Sequence, residues 1–489
     1  MGRFVFNEGP RALFLCFWCL LQCLIFYLSF EIYNRSTHFS RARATLGMTL
    51  GIARSSAAVI NFDCGLILFS VCRNLISVLR STFLNDIVPF DKNILFHKTV
   101  AWSIVIFSSM AFLTGPGATG HALVLILFLM VTSSVECVRR KGFEALWFTH
   151  HLFILFFIIL MFHGAFCFIH ADSFILGSLL VHILERVVRE VRARSPTSIS
   201  KIVLHPPKVV EVQIKRELSG QYVFLNCPDI SLWEWHPFTI TSAPEEDYVS
   251  VHIRIVGDWT RAFARRLGCT FDDEQQFWIE ELMSRRGQGG CRNRRYPVGP
   301  RGTKVITLPR VLIDGPYGSP SEDAFNYEIA VLVGAGIGVT PLASVLKHIW
   351  YSVMQPTKII TLRKVYFFWA FEWFQDLLIA LEEQNMSDFL EIRSYLTGEL
   401  DAEELNTVLM EARASAAMAA ARNLRYAITG LRSPTYYDRP NFDKIFGELA
   451  QAHSREHGQV GVFFCGPKPL GKTLHRKLLK DCLLFYWQP

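Results

Sequence analysis

Apolar residues run almost uncharged through two long stretches of the chain, 11–33 and 147–170, whereas 195–330 has the mixed texture of an ordinary aqueous domain. A hydrocarbon core about 30 Å thick takes roughly 20 helical residues to cross. Six stretches approach that length, at about 10–33, 47–79, 94–113, 119–137, 147–169 and 172–188. Arg139, Arg140 and Lys141 follow the fourth, and Arg186, Arg189, Arg192 and Arg194 follow the sixth. Both clusters close even-numbered spans, so the positive-inside tendency puts both termini in the cytosol; Arg35, Arg41 and Arg43 in the first outer loop oppose it. Arg3 and Arg11 precede a run longer than a signal-peptide core, with no clear cleavage site after it, which fits a first membrane helix. Asn34-Arg35-Ser36 would then face outside as a glycosylation acceptor.

After Ser195 the period changes. Alternating runs at Ile202–His205, Val209–Ile214 and Tyr222–Leu225 predict short strands and a small antiparallel barrel over about 197–310. From about 327 the order is strand, Gly-rich turn, helix: Ile329–Val333, Gly334–Gly338, Pro341–Tyr351. Further strands near 365–369, 391–396, 425–429 and 461–465 alternate with helical stretches, as in a parallel sheet. The domains are therefore 1–194 in the membrane, 195–310 a β-barrel and 311–489 an α/β nucleotide-binding domain. Ala-rich 411–421 is helix-prone, and 285–304 carries seven basic residues and no acid, as a solvated loop would.

Composition agrees with a membrane half and an aqueous half. Hydrophobic residues make up 51% and charged ones 19%, with a mean hydropathy of +0.26, too apolar for a fully soluble chain and incompatible with wholesale disorder. The net charge of +7 is not gathered into a basic helix or an aromatic-interleaved patch, which argues against nucleic acid as a partner. Twelve cysteines lie mostly in apolar spans or the aqueous half, so most thiols are expected reduced.

His97, His150, His151 and His163 lie in or beside apolar spans, where ionisable residues are costly and usually partnered. Neutral imidazole binds iron, and haem iron takes an axial ligand from each side. His150 and His163 stand about 20 Å apart along a helix, one near each membrane face, which suits two stacked haems. Thirteen steps of about 100° leave them on different faces of a straight helix, so a bulge or two haem orientations are required. Spacing alone does not choose between His150 and His151.

Residues 236–244 read His-Pro-Phe-Thr-Ile-Thr-Ser-Ala-Pro. A strand-edge Phe can cover an isoalloxazine face while a Thr hydroxyl bonds its ring edge, and His236 and Arg254 can meet a pyrophosphate. Gly334-Ala335-Gly336-Ile337-Gly338-Val339-Thr340-Pro341 follows an apolar strand and opens a helix, letting backbone N–H groups approach a dinucleotide pyrophosphate. Cys465-Gly466-Pro467 ends the last apolar strand, where a nicotinamide ring would meet the sheet.

In this order the motifs resemble the catalytic heavy chain of the superoxide-generating NADPH oxidases, nearest the phagocyte-type flavocytochrome b. The resemblance is carried by Cys64–Arg80, Phe96-His97-Lys98, Trp147–Leu152, His236–Thr260, Asp314–Gly318, Gly334–Pro341, Ile428–Asn441 and Phe464–Pro467. It implies a ferric-reductase-type six-span α-helical bundle fused to a ferredoxin-reductase-like module of FAD barrel and NADPH-binding domain. Electrons would pass from NADPH to FAD, then haem b, then dioxygen outside. By resemblance His97 and His150 hold the inner haem and His163 the outer one, with Arg54 beside the latter. His236, Pro237, Phe238, Thr239, Arg254 and Thr260 hold FAD. Gly334, Gly336, Gly338, Thr340, Pro341, Cys465, Gly466 and Pro467 form the nucleotide site, and Arg439 meets the 2′-phosphate. Arg54 and Cys465 are the candidate catalytic positions. A small membrane protein, cytosolic activators and the plasma membrane are implied as partners and location.

The chain departs from that pattern in places. Position 111, where the family has a second histidine fourteen residues after the first, is Ala111, with His121 a candidate substitute. The outer loops after the third and fifth spans are short, Phe371 abuts Glu372 where an arginine-bearing turn is usual, and the tail ends at Pro489 near Trp487. Two other readings follow: a ferric or cupric chelate reductase, and an impaired oxidase lacking the outer haem that serves as a membrane binding partner.

Overall fold

The computed structural model describes residues 2–112, 117–166, 172–205, 208–215, 222–269, 308–318, 320–354, 361–370, 375–384, 388–395, 431–436, 438–453, 460–478 and 485–488. The sequence readings on 285–304, 411–421 and 425–429 lie outside these residues. The chain divides into two units, Glu8–Val188, and Arg189–Pro489 together with Met1–Asn7.

The first unit is helical. Its elements are α1 (Gly2–Arg35), α2 (Ser40–Leu46), α3 (Met48–Phe69), α4 (Arg73–Arg80), α5 (Asn93–Ala111), α6 (Gly117–Ser134), α7 (Glu136–Lys141), α8 (Phe143–His150), α9 (Phe153–Phe166) and the start of α10 (Asp172–Ala193). Among the described residues five segments are long and apolar enough to cross a bilayer: Gly9–Arg35, Met48–Phe69, Phe90–Ala111, Gly117–Ser134 and Phe143–His163. The stretch expected as a sixth span lies in α10, whose second half carries Glu185, Arg186, Arg189, Glu190 and Arg192.

Burial in this unit runs opposite to that of a water-soluble bundle. Leu13, Phe17, Leu20 and Leu24 point outward from α1, while Gln22, Asp63 and Ser103 are buried. Gln22 Nε2 donates to both carboxylate oxygens of Asp63, at 2.7 and 2.8 Å, and meets Ser103 Oγ at 3.0 Å, tying α1, α3 and α5 together. An acid inside an apolar span needs such partners, because lipid offers none. Apolar contacts of Trp18, Cys64, Leu68, Val100, Ile104, Phe156 and Phe157 fill the space around the knot.

Two expected continuous spans are broken. The stretch 47–79 becomes α3 and α4, separated at Ser70–Cys72, where Ser70 Oγ donates to the Ile67 carbonyl at 2.7 Å. The stretch 147–169 is interrupted at His151–Leu152. There Leu152 N–H bonds Thr149 O at 3.1 Å and Ile154 N–H bonds His151 O at 3.2 Å, three-residue rather than four-residue closures. The tightened turn changes the helical phase between His150 and His163.

The second unit holds a barrel and a parallel sheet. Strands β1 (Ser198–His205), β2 (Val209–Lys215) and β5 (Val249–Arg254) form one antiparallel sheet; β3 (Tyr222–Asn226), β4 (His236–Thr239) and β6 (Leu312–Tyr317) form the other. An Ile240–Val251 bridge joins them. Alternation sends Val210, Val212, Ile214, Val249, Val251 and Ile253 into the shared core, closed by Trp259 and Phe263 of α11 (Asp258–Arg266). Because β6 pairs with β3, Asp314–Tyr317 belongs to the barrel.

Past the barrel come β7 (Ile329–Ala335), α12 (Thr340–Met354), β8 (Lys364–Ala370), α13 (Gln375–Glu383), β9 (Leu390–Tyr395), β10 (Thr435–Tyr436), α14 (Phe442–Ala452), β11 (Val460–Cys465), α15 (Lys468–Leu478) and β12 (Phe485–Gln488). The six strands form one parallel sheet in the order β10-β9-β8-β7-β11-β12. Central strands buried on both faces explain runs such as Ile329–Val333, apolar throughout rather than alternating. The chain builds outward from β7 to β10 and then returns to β7's other side with β11, which makes the β7/β11 junction a topological switch point.

Candidate functional site

Ligands of open parallel sheets bind beyond the carboxyl ends of the strands at the switch point. Two sequence motifs meet there. Gly334 pairs with Cys465 across the β7/β11 ladder, and a Cβ on Gly338 would lie 2.3 Å from the Cys465 carbonyl oxygen and 2.9 Å from Gly466 N. Only glycine permits that approach. Gly336 has φ +56°, a left-handed conformation, with nothing within 4 Å of where its Cβ would stand. The loop thus leaves an open cradle before the buried start of α12 at Thr340 and Pro341, and the Thr340 hydroxyl donates to Ile337 O at 3.0 Å. The open cradle and the helix start fit a dinucleotide pyrophosphate. Burial pushes the Cys465 thiol up, so it is neutral in water near pH 7. Gly466, Pro467 and Arg439 are exposed, the last just past β10 with its N–H on Asp438 Oδ1 at 2.6 Å.

On the barrel, β4 presents His236, Pro237, Phe238 and Thr239. The His236 ring lies 4.3 Å from Trp259 and Phe238 lies 6.0 Å from it, so the strand edge carries an aromatic surface. Burial pulls His236 below the usual imidazole range although Glu234, 3.4 Å away, opposes it. Arg254 is exposed at the end of β5. The Thr260 hydroxyl accepts from Gly257 N at 3.0 Å and Val256 N at 3.2 Å while donating to Gly257 O, so it closes the first turn of α11.

Residues that sequence reasoning passed over hold the barrel and the parallel sheet in register. The Ser344 hydroxyl donates to Ser242 O at 2.8 Å, Lys347 Nζ bonds Glu246 at 3.2 Å, and His348 Nδ1 meets Glu245 at 2.7 Å. The Ser-Ala-Pro-Glu-Glu loop thereby docks along α12. The paired acids 245–246 against the basic pair 347–348 were the available signal. Asp314 is also structural: Arg189 Nε and Arg192 Nη2 donate to it at 2.7 and 2.6 Å, and Tyr317 OH at 2.8 Å. Burial alone would raise its pKa, but the Arg189 charge and these bonds hold it below the usual carboxylate range.

In the helical unit the His97 and His150 rings stand 6.3 Å apart, centre to centre, at 54°. Two imidazoles bound trans to one metal, each through a nitrogen about 2 Å away, have centres about 6 Å apart. Ser70 Oγ lies 3.0 Å from His97 Nδ1. Its single proton goes to Ile67 O, so the ring nitrogen supplies the hydrogen and Nε2 keeps its lone pair for a metal. His150 Nδ1 is buried without a hydrogen-bond partner. These residues fit a bis-imidazole haem. His163 Nδ1 meets Thr119 Oγ1 at 2.8 Å. His121 packs on Phe112 at 5.2 Å. Arg54 lies over the Tyr33 ring at 6.0 Å, within electrostatic reach of His163.

Fold and site define an FAD- and nicotinamide-dependent oxidoreductase module joined to a membrane-type helical unit. The family described as "FAD-binding domain" matches residues 195–321, and "Ferric reductase NAD binding domain" matches 327–478. A superoxide-generating NADPH oxidase heavy chain of Dictyostelium discoideum is 37% identical, over 97% of this chain and 94% of that protein. NADPH oxidase 1 of Mus musculus is 34% identical over 98% and 92%, and NADPH oxidase 3 of Homo sapiens 32% over 97% and 96%. Among solved structures, a ferredoxin NADP+ reductase from Neisseria gonorrhoeae superposes with a TM-score of 0.33 at 13% identity, over 59% of this chain and 92% of that one. The chain belongs to the NADPH oxidase family.

Proposed function

We propose that this chain moves electrons from cytosolic NADPH through FAD and haem b across a membrane to dioxygen, releasing superoxide on the far side. The observation that carries this reading is the His97–His150 pair, 6.3 Å apart in an apolar helical unit of a chain that also bears a flavin and nicotinamide module. When bound, FAD would supply the conversion of a hydride into single electrons and haem iron their one-electron transfer.

The residues bind, orient and exclude water. Gly334, Gly336, Gly338 and Thr340 would receive the NADPH pyrophosphate on backbone N–H groups, with Pro341 fixing the first turn of α12 behind them; Arg439 would take the 2′-phosphate, and Cys465, Gly466 and Pro467 would flank the nicotinamide. His236, Pro237, Phe238 and Thr239 line the flavin, Arg254 faces its pyrophosphate, and Thr260 acts through the α11 cap. His97 and His150 hold the inner haem, His163 one side of the outer haem, and Arg54 lies beside that second site. The membrane domain runs to about 194; the flavin barrel, expected to end at 310, extends through β6 to Tyr317, and the nucleotide-binding domain starts at β7. α10 supplies the sixth span, both termini lie in the cytosol, and the plasma membrane, cytosolic activators and a small membrane partner protein complete the assembly.

Two observations favour competing readings: the "Ferric reductase" description of the nucleotide domain, and alanine at position 111. The test is superoxide-dismutase-sensitive dye reduction by the purified membrane protein, run beside iron-chelate reduction and haem and FAD content. NADPH-driven, dismutase-sensitive signal with bound b-type haem supports the oxidase. Iron-chelate reduction without superoxide selects the reductase, and absence of b-type haem selects the binding-partner reading.

A further inference from the structure

The outer face of the β1-β2-β5 sheet carries three metal-binding side chains that the electron path does not use. His205 ends β1, Glu211 sits in β2 and His252 in β5; Glu211 and His252 are directly paired, and His205 lies diagonally across. The neighbouring positions 210, 212, 251 and 253 enter the barrel core, so all three side chains project to the other face. Their ligand atoms lie within 4.8 Å of one another.

The structure assigns His205, Glu211 and His252 as a binding site for one divalent transition-metal ion of the zinc class.

Donor spacing supports it. His205 Nε2 is 3.1 Å and His252 Nε2 3.7 Å from the same carboxylate oxygen, Glu211 Oε2. Ligands about 2.0–2.1 Å from a tetrahedral ion stand roughly 3.4 Å apart, between those two values. His205 Nε2 and Glu211 Oε2 share a hydrogen bond at 3.1 Å, whereas the 3.7 Å separation of His252 Nε2 is too long for one. Outer contacts orient the ligands as metal sites require: Thr241 Oγ1 lies 2.8 Å from His252 Nδ1, and Gln213 Nε2 donates to Glu211 Oε1 at 2.8 Å, leaving Oε2 for the ion. The nearby cation Lys347 is engaged by Glu246. His252 is buried, whereas the His205 side chain is 27% exposed, which gives an ion a way in and a solvent molecule the fourth position. Two imidazoles and one carboxylate suit zinc rather than magnesium or calcium. The bound ion would staple three strands of the flavin barrel.

The assignment does not depend on the haem or on superoxide formation. The full-length holoprotein in detergent is dialysed against a chelator, then titrated with zinc chloride against a fluorescent zinc indicator, and bound metal is counted by mass spectrometry. One zinc per chain is expected, with affinity falling roughly 100-fold or more in Glu211→Gln and His205→Asn, and about 10-fold in Gln213→Ala. FAD content in chelator reports folding of each variant; His205→Asn, at a strand end, carries the test where Glu211→Gln loses flavin. X-ray absorption at the zinc edge should show two imidazoles. Under about a tenth of an equivalent in the wild type, unchanged binding in a folded variant, or no imidazole scattering overturns the assignment.

Discussion

Gly338→Ala tests the geometry of the switch point. The added Cβ would stand 2.3 Å from the Cys465 carbonyl oxygen and 2.6 Å from its carbonyl carbon. Both are backbone atoms at the end of a buried strand, so no side chain can rotate away. Restoring ordinary contact at 3.4 Å requires the glycine loop and the Cys465 strand end to separate by about 1.1 Å. A misplacement of about 1 Å between reacting partners costs on the order of 100-fold. Gly336→Ala is the control: its Cβ meets nothing within 4 Å, and its φ of +56° costs only roughly 1–2 kcal/mol of backbone strain. The assay is anaerobic stopped-flow reduction of bound flavin by NADPH, with FAD content and thermal midpoint followed in parallel. Gly338→Ala should slow flavin reduction about 100-fold with FAD retained, and Gly336→Ala should fall well short of that. Flavin reduction within about twofold of wild type in Gly338→Ala would refute the claim that this contact sets the nucleotide's position.

Other measurements probe the remaining sites. Ser70→Ala removes an acceptor from the His97 ring, so the haem midpoint should rise by about 20–60 mV, the equivalent of a hydrogen bond of roughly 0.5–1.5 kcal/mol; an unchanged potential would detach Ser70 from the haem. Asp314→Ala leaves Arg189 and Arg192 facing each other with the carboxylate gone and should destabilise the flavin module by about 3–5 kcal/mol in thermal unfolding. Because the folded pKa of Asp314 is depressed, its contribution should be level from about pH 5 to 8 and fade as pH falls through the folded value, below about 3.9. Ala111→His should raise bound haem from about one to about two per chain if the missing ligand limits the outer site; pyridine haemochrome titration reads this directly.

The division into a lipid half and an aqueous half was legible in the sequence because hydropathy and period are local properties. So were the strands Ile329–Val333 and 461–465, and the glycine loop between strand and helix. Contacts between distant segments were not legible. Nothing in one dimension placed Gly338 on Cys465; that follows from the return of β11 to β7's free side. Helical phase allowed either a bulge or two haem orientations between His150 and His163; the interruption at His151–Leu152 is visible only in hydrogen bonds that shorten to three-residue closures. Asp63 is a lone acid within a span, and helix packing alone brings Gln22 and Ser103 to it from two other helices. His205, Glu211 and His252 lie 6 and 41 residues apart and share no spacing motif; the pleat of three adjacent strands alone brings them to one face. Local chemistry names the groups, and strand order and helix packing decide which of them meet.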